Sequence, residues 1–162
     1  MVRKFFAIGL SLLFVSLGLA HGNQPGKAEL KVSGGKVVID FVAPELKGRD
    51  INELIKQPGA NPWRLGADKA TTFETPVALQ FGDGKVAAGK YVLRALLDDQ
   101  NQWWLQLVDD SKGVVAKAPL KKSVASQAAE HLAINLDGKP DAANVTIQWG
   151  TQVLEGNFAV AK

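Results

Sequence analysis

The residues best suited to chemistry lie in one short segment, residues 63 to 72, which read WRLGADKATT. This segment combines an indole, Trp63, with a permanent positive charge, Arg64, a carboxylate, Asp68, and a hydroxyl, Thr71. An arginine beside an aromatic ring can bind a carboxylate or a phosphate, because the guanidinium donates paired hydrogen bonds and the ring supplies an apolar wall. Nucleophilic catalysis would also need a base, and no histidine or cysteine lies nearby in the sequence.

The same segment also has a purely structural interpretation as a tight corner. Gly66 can adopt a positive φ, which would let Arg64 and Asp68 meet as an ion pair while Thr71 satisfies the remaining donors. Charged pairs beside an aromatic ring more often fix a loop than bind a ligand. The sequence therefore favours a corner first and a binding pocket second, and it leaves Trp63, Arg64, Asp68 and Thr71 as ligand-binding candidates.

A second aromatic feature is the pair Trp103 and Trp104, which lies between Gln102 and Gln106. Successive side chains of a strand point to opposite faces, so if Trp103 is in the core, Trp104 must point outward. An exposed indole flanked by amides is typical of carbohydrate-binding surfaces, because the ring stacks on a sugar while the amides bind its hydroxyls. The alternative is that Trp104 is covered by a loop, a second sheet face or a partner.

The N-terminus has the pattern of a secretory signal peptide. Arg3 and Lys4 precede an apolar run over residues 5–19, and the small residues Gly18 and Ala20 stand where a signal peptidase would read them. We therefore expect a periplasmic or secreted protein with no membrane span after removal of residues 1–20. The chain has no cysteine, so its stability must come from a packed core and not from disulfides.

Cleavage after Ala20 would leave His21 as the mature N-terminus, which suggests an alternative function. An N-terminal histidine offers its α-amine and a ring nitrogen to one metal ion, and His131, the other histidine, would supply a third nitrogen. Three nitrogens of this kind suit copper. The arrangement resembles the copper brace of lytic polysaccharide monooxygenases, and it predicts a copper-binding protein or a copper oxidase-type enzyme that uses His21 and His131.

The charge balance argues against nucleic acid as a partner. Two of the 19 Lys and Arg residues lie within the first 20 positions and none of the 16 Asp and Glu residues does, so signal removal would leave a net charge near +1. Nucleic-acid binding needs a basic face, which a near-neutral mixture does not indicate.

Alternation of apolar and polar residues is the recurring pattern along the chain, and it predicts strands with one buried face. Turn residues punctuate these runs about every ten positions, as expected of an antiparallel sandwich or barrel. We therefore predict an all-β fold, an antiparallel β-sandwich that is jelly-roll-like or barrel-like. The clearest inward-facing sets are Val37, Ile39 and Phe41; Trp103, Leu105 and Leu107; Leu132, Ile134 and Leu136; and Val145, Ile147 and Trp149.

Helical periodicity is scarce. Residues 50–56 form one short helical candidate, with Asp50 as N-cap and Glu53 at the position of a capping box. Residues 123–130 form a second candidate. The predicted organisation is a signal peptide over 1–20, an N-terminal lead and first strand over 21–35 with a flexible stretch at 23–27, and a single β-sandwich domain over 36–162.

Four motifs follow one another along the chain: APELKGR at 43–49, WRLGADKATT at 63–72, AGKYVL at 88–93 and the tryptophan strand that begins at Trp103. In order and spacing they resemble the motifs of an exported bacterial domain of unknown function, family 2911. The chain resembles this family over residues 36–160, with Asp68 where the family more often has asparagine and Trp104 where a small polar residue is common. The resemblance implies a mostly β domain outside the cytoplasm and supplies no catalytic residue.

Together these features predict a non-enzymatic binding or structural module of the cell envelope. Its expected partner is a small molecule, a glycan or an envelope protein, and no cofactor is required except copper in the histidine-brace alternative.

Overall fold

The computed structural model of the protein describes residues 22–162, which form nine strands and one short helix. The prediction of an all-β fold is confirmed. The elements, in chain order, are β1 (Gln24–Val32), β2 (Gly35–Ala43), α1 (Ile51–Leu54), β3 (Thr72–Thr75), β4 (Leu79–Phe81), β5 (Gly84–Val86), β6 (Gly89–Leu97), β7 (Trp103–Asp109), β8 (Gly113–Lys139) and β9 (Ala142–Val160). Within residues 22–162, no helix is long and apolar enough to cross a membrane.

The strands form one hydrogen-bonded sheet in the order β1-β2-β3-β6-β7-β8-β9-β4-β5. All neighbouring strands are antiparallel. The long strand β8 joins the two halves of the sheet, because its first part pairs with β7 and its later part pairs with β9. β8 changes partner between Leu120 and Lys121, and its pairing with β9 has register shifts between Val124 and Ala129 and between Ala129 and Ala133.

Aromatic rings from the two halves of the sheet meet in the core. Phe73 of β3 contacts Phe81 of β4 and Phe158 of β9, with ring centroids 6.1 Å and 5.4 Å apart. The two halves of this one continuous sheet therefore contribute rings to a common core. Burying each phenylalanine contributes about 1.5–3 kcal/mol, so these contacts hold the halves together.

The inward-facing residues predicted from alternation are buried, except Leu136, which is only partly buried near the end of β8. In β2, Val37, Ile39 and Phe41 are all buried, and Trp103 at the start of β7 is 3% exposed. These side chains lie on one face because strand residues two apart point the same way. Hydrophobic alternation was therefore sufficient to identify the core face.

The first helical prediction is confirmed and the second is wrong. Asp50 caps α1, with its Oδ1 accepting a hydrogen bond from the backbone N–H of Asn52 at 2.8 Å, whereas Glu53 pairs with Lys56 at 2.8 Å. Residues 123–130, predicted as helix, belong to β8. This stretch has no buried stripe at helical spacing, and pairing with β9 overrides its local propensity.

The stretch predicted as a flexible lead, residues 23–27, is mostly part of β1. That strand begins at Gln24 and pairs with β2 along its whole length, from Gln24 opposite Ala43 to Val32 opposite Gly35. The polar composition of the stretch reflects its position in the outermost strand, where side chains such as Lys27 remain exposed.

Candidate functional site

A cavity of about 370 Å³ lies beside α1. Its volume falls near the lower end of the range for small-molecule sites, roughly 300–1,000 Å³. Among the described residues that line it, the only charged side chains are Arg49 and Arg64. The aliphatic part of the lining comes from α1 and the loop that follows it: Ile51, Leu54, Ile55, Ala60 and Pro62.

Two stacked indoles form the inner wall of the cavity. Trp63 and Trp149 lie with ring centroids 5.9 Å apart and planes 15° from parallel, and Trp103 packs edge-on against Trp63 at 6.4 Å. Trp63 is fixed by reciprocal backbone hydrogen bonds with Ala95, at 2.7 Å and 2.8 Å. Trp63 is 8% exposed and Trp149 is 6% exposed, so the wall is largely enclosed.

Arg49 is held in place at the edge of the cavity by three contacts. Its Nε donates to the carbonyl oxygen of Leu46 at 2.9 Å, and its Nη2 donates to that of Glu45 at 2.7 Å. Its Cζ lies 5.8 Å from the centroid of the Trp149 ring, a cation–π distance. This guanidinium therefore fixes the loop before α1 and adds a positive charge beside the indole wall.

Arg64 is exposed, and its terminal nitrogens remain available. Its Nε donates to the carbonyl oxygen of Gly66 at 3.1 Å. The predicted ion pair between Arg64 and Asp68 does not form, because the Asp68 carboxylate instead accepts from Asn23 Nδ2, with both oxygens at 3.3 Å. Trp63 and Arg64 thus come together in the cavity, and Asp68 lies outside its lining.

The structural corner exists, but it is built differently from the prediction. Positive φ values occur at Leu65 (55°) and Asp68 (60°) and not at Gly66. Glycine is needed at 66 for space, because an added Cβ would lie 2.8 Å from Thr71 Oγ1 and 3.1 Å from the Val42 carbonyl oxygen. Thr71 is fully buried and donates to the carbonyl oxygen of Leu65 at 2.7 Å. Thr71 therefore stabilises the corner and is not accessible to a ligand.

Trp104 lies on the face opposite Trp103, as predicted, and it is half-buried. Its Nε1 donates to Asp98 Oδ2 at 2.9 Å, and Lys117 Nζ lies 4.4 Å from its ring centroid. The hydrogen bond from Trp104 and then the backbone bond from Gln102 lower the pKa of the Asp98 carboxyl. Trp104 is therefore separated from the cavity and engaged by two charged neighbours.

One of the two histidines proposed for the copper brace, His21, lies outside the described residues. The other, His131, has its Nε2 3.0 Å from the carbonyl oxygen of Gly22, and the Gly22 N–H donates to Glu45 Oε2 at 2.9 Å. Among residues 22–162, no three His, Cys, Asp or Glu side chains are grouped closely enough to hold a metal ion.

Two residues of the cavity, Arg49 and Trp149, were not among the predicted site residues. Trp149 shared the alternation of Val145 and Ile147, which indicated an inward side chain but not a cavity wall. Its Nε1 is buried and has no hydrogen-bond partner within the described part of the chain, which is uncommon for an indole N–H. Arg49 lies within the APELKGR motif, and nothing in its spacing indicated that it would lie over an indole 100 positions later.

No curated protein and no solved structure matches the chain. A family model described as "Protein of unknown function (DUF2911)" matches residues 23–158, which cover the whole sheet from β1 almost to the end of β9 and include every lining residue of the cavity. The chain therefore belongs to the DUF2911 family.

Proposed function

We propose that the protein is a non-enzymatic binding module of the cell envelope whose cavity takes a small anionic molecule, one that carries a carboxylate or a phosphate. The observation that carries this proposal is that two guanidinium groups, Arg49 and Arg64, lie beside an indole wall, with no acidic side chain among the described lining residues. Guanidinium groups favour planar, anionic partners, and an apolar wall strengthens such interactions by excluding water.

The composition of the cavity supports binding over catalysis. The described lining residues include no histidine, carboxylate or hydroxyl side chain, which are the usual bases and nucleophiles. The uncharged polar side chain of the lining, Gln57, is a hydrogen-bonding group that orients ligands without itself reacting.

Export to the periplasm or secretion is part of the proposal, and it rests on Arg3, Lys4 and the apolar run over residues 5–19. Intact mass of the protein recovered from its own host tests it. A chain that lacks about its first 20 residues is the expected result, and an uncleaved chain in the cytoplasmic fraction would contradict it.

A calorimetric titration tests the binding role. We expect small carboxylates or phosphates to bind, and Arg64→Gln to weaken that binding by about tenfold or more, because a charge-assisted hydrogen bond is lost. Lys69→Gln is the matched control, since Lys69 is an exposed cation of the same corner that does not line the cavity. An equal loss in both variants would indicate nonspecific attraction, and no binding of any anion would reject the proposed function.

Copper binding is a second candidate, and one observation favours it. His131 Nε2 lies 3.0 Å from the carbonyl oxygen of Gly22, the residue that follows His21 in the chain. If the mature chain begins at His21, the α-amine and ring that could join His131 belong to the residue directly before Gly22 in the sequence, and three nitrogens suit copper. Copper titration of the host-processed protein should then show about one equivalent, which His131→Ala abolishes. A mature chain that begins elsewhere would remove this candidate.

The glycan-binding alternative has weaker support. A sugar stacks on a free indole face, whereas Lys117 lies over the ring of Trp104 and Asp98 accepts from its nitrogen. These contacts favour a structural role for Trp104.

A further inference from the structure

We propose that the ligand of this cavity is an amphipathic monocarboxylate, with its carboxylate at Arg64 and a medium-length apolar body against α1 and the indole wall. This inference rests on the proposed anion-binding function and specifies its ligand class. It follows from how the donors of the two arginines are used, from what surrounds α1 and from the apolar character of the lining.

The donors that remain free match one carboxylate. Arg49 already donates through Nε and Nη2 to two backbone carbonyl oxygens, whereas the one hydrogen bond of Arg64 to residues 22–162 is that from Nε to Gly66. The two terminal nitrogens of Arg64 are therefore available as a planar fork, which matches the two oxygens of a carboxylate. Arg49 supplies a second positive charge beside the wall without being free to reorient.

A phosphate would not find in this cavity the additional hydrogen-bond donors that it needs. Phosphates are commonly held by backbone N–H groups at the start of a helix. In α1 that position is taken by the Asp50 carboxylate, which accepts from the Asn52 N–H at 2.8 Å. The backbone and side-chain hydrogen bonds from Asn52 lower the pKa of the Asp50 carboxyl, so an ionised carboxylate occupies this helix start.

The remainder of the cavity is suited to an apolar body. Leu54, Ile55, Ala60 and Pro62 line it together with the two indoles, and Gln57 offers the one uncharged polar side chain among the described lining residues. A sugar or a nucleotide carries many hydroxyls and ring heteroatoms, and burying them without partners would be unfavourable. An alkyl chain needs no such partners and gains from the loss of contact with water.

A matched ligand series tests this inference by calorimetry on the mature protein, at concentrations below micelle formation. Octanoate, octanol and octyl phosphate share one chain and differ in the head group, while acetate has the carboxylate without the chain. We expect octanoate to bind at least about tenfold tighter than octanol or acetate, and tighter than octyl phosphate. Arg64→Gln should weaken octanoate binding about tenfold, Arg64→Lys should restore part of it, and Lys69→Gln should leave it unchanged.

The series separates the failure of this inference from the failure of the proposed function. Tighter binding of octyl phosphate than of octanoate would overturn the carboxylate class while keeping an anion-binding cavity. Equal binding of acetate and octanoate would overturn the apolar body. No binding by any of the three anions would overturn both proposals. Circular dichroism and melting temperatures of the variants confirm that they are folded, which is expected because Arg64 and Lys69 are exposed.

Discussion

Thr71 Oγ1 donates a hydrogen bond of 2.7 Å to the carbonyl oxygen of Leu65, and both residues are completely buried. This neutral bond closes the corner between Trp63 and β3. Because the corner does not depend on an ion pair between Arg64 and Asp68, the terminal nitrogens of Arg64 are left for the cavity. The division of roles between Thr71 and Arg64 allows one short segment to form both a corner and part of the cavity wall.

The corner bond predicts a specific loss of stability in Thr71→Val. Valine keeps the volume but removes the donor, so the buried Leu65 carbonyl loses its partner at a cost of about 1–3 kcal/mol. Urea denaturation followed by tryptophan fluorescence measures the change in the free energy of unfolding. Thr72→Val is the control, since Thr72 is half-buried on β3, and a change within about 0.5 kcal/mol is expected there. Similar values for the two variants would mean that the Thr71 bond does not hold the corner.

Two buried glutamines should respond in opposite ways to replacement by leucine. Gln106 and Gln152 are each 5% exposed. Gln106 Oε1 accepts from Arg94 Nε at 2.9 Å, whereas Gln152 Oε1 has no partner in the described part of the chain. Removing an unsatisfied carbonyl costs nothing in hydrogen bonding, so Gln152→Leu should be neutral or stabilise the protein by up to about 1 kcal/mol.

The matched variant, Gln106→Leu, should destabilise the protein by about 1.5–3 kcal/mol, because the charged Arg94 donor loses its acceptor. Thermal unfolding of both variants in parallel measures the difference. A Gln152→Leu variant that melts well below the parent would show that a bound water or a ligand satisfies Gln152 Oε1 in solution.

The strands could be predicted from the sequence because each strand buries one face, so that apolar and polar residues alternate along it. The pattern of Val37, Ile39 and Phe41 is visible without any knowledge of their partners. The helix predicted at 123–130 failed for the opposite reason, since that stretch of β8 is mostly exposed and its conformation depends on pairing with β9, which lies up to 30 residues away along the chain.

The candidate site could be predicted only in part. Trp63 and Arg64 were identified because they are neighbours in the sequence, and the cavity contains both. Arg49 and Trp149 were missed because the contacts of Trp149 with Arg49 and with Trp63 join residues that are far apart in the sequence. Asp68 was assigned to the wrong partner because its true neighbour, Asn23, lies on the segment that enters β1.

We predict that protonation of Asp98 accounts for part of the decrease in the free energy of unfolding at low pH. Hydrogen bonds from the Trp104 side chain and the Gln102 backbone lower the pKa of the Asp98 carboxyl below its ordinary value of 3.8. A lowered folded-state pKa contributes stability above the unfolded-state value, and this contribution is lost as the pH falls through the folded-state pKa. The free energy of unfolding should therefore decline below about pH 4, and the decline should be shallower in Asp98→Asn.

Urea denaturation at several pH values between 6 and 3 measures this slope for the Asp98 variant. Asp99→Asn is the control, because Asp99 is an exposed neighbour and its replacement removes the same charge. If the slope of Asp98→Asn equals the slopes of the parent and the Asp99 variant, the bond to Trp104 does not stabilise the folded state.

The amide of Asn61 links the loop of the cavity to β6, and its removal should loosen the cavity more than the protein as a whole. Asn61 Nδ2 donates to the Leu97 carbonyl oxygen at 2.7 Å, and the Leu97 N–H donates to Asn61 Oδ1 at 3.1 Å. Both bonds are exposed, so Asn61→Ala should cost only about 1 kcal/mol of global stability. The same loop also positions Trp63. Loss of the Asn61 hydrogen bonds should therefore weaken octanoate binding about threefold or more and speed hydrogen exchange at the Trp63 amide.

The remote variant Asn135→Ala, at an exposed site on β8, should change neither the octanoate affinity nor the exchange rate. Unchanged hydrogen exchange at the Trp63 amide in the Asn61 variant would show that the backbone hydrogen bonds between Trp63 and Ala95 are sufficient to hold Trp63 in place.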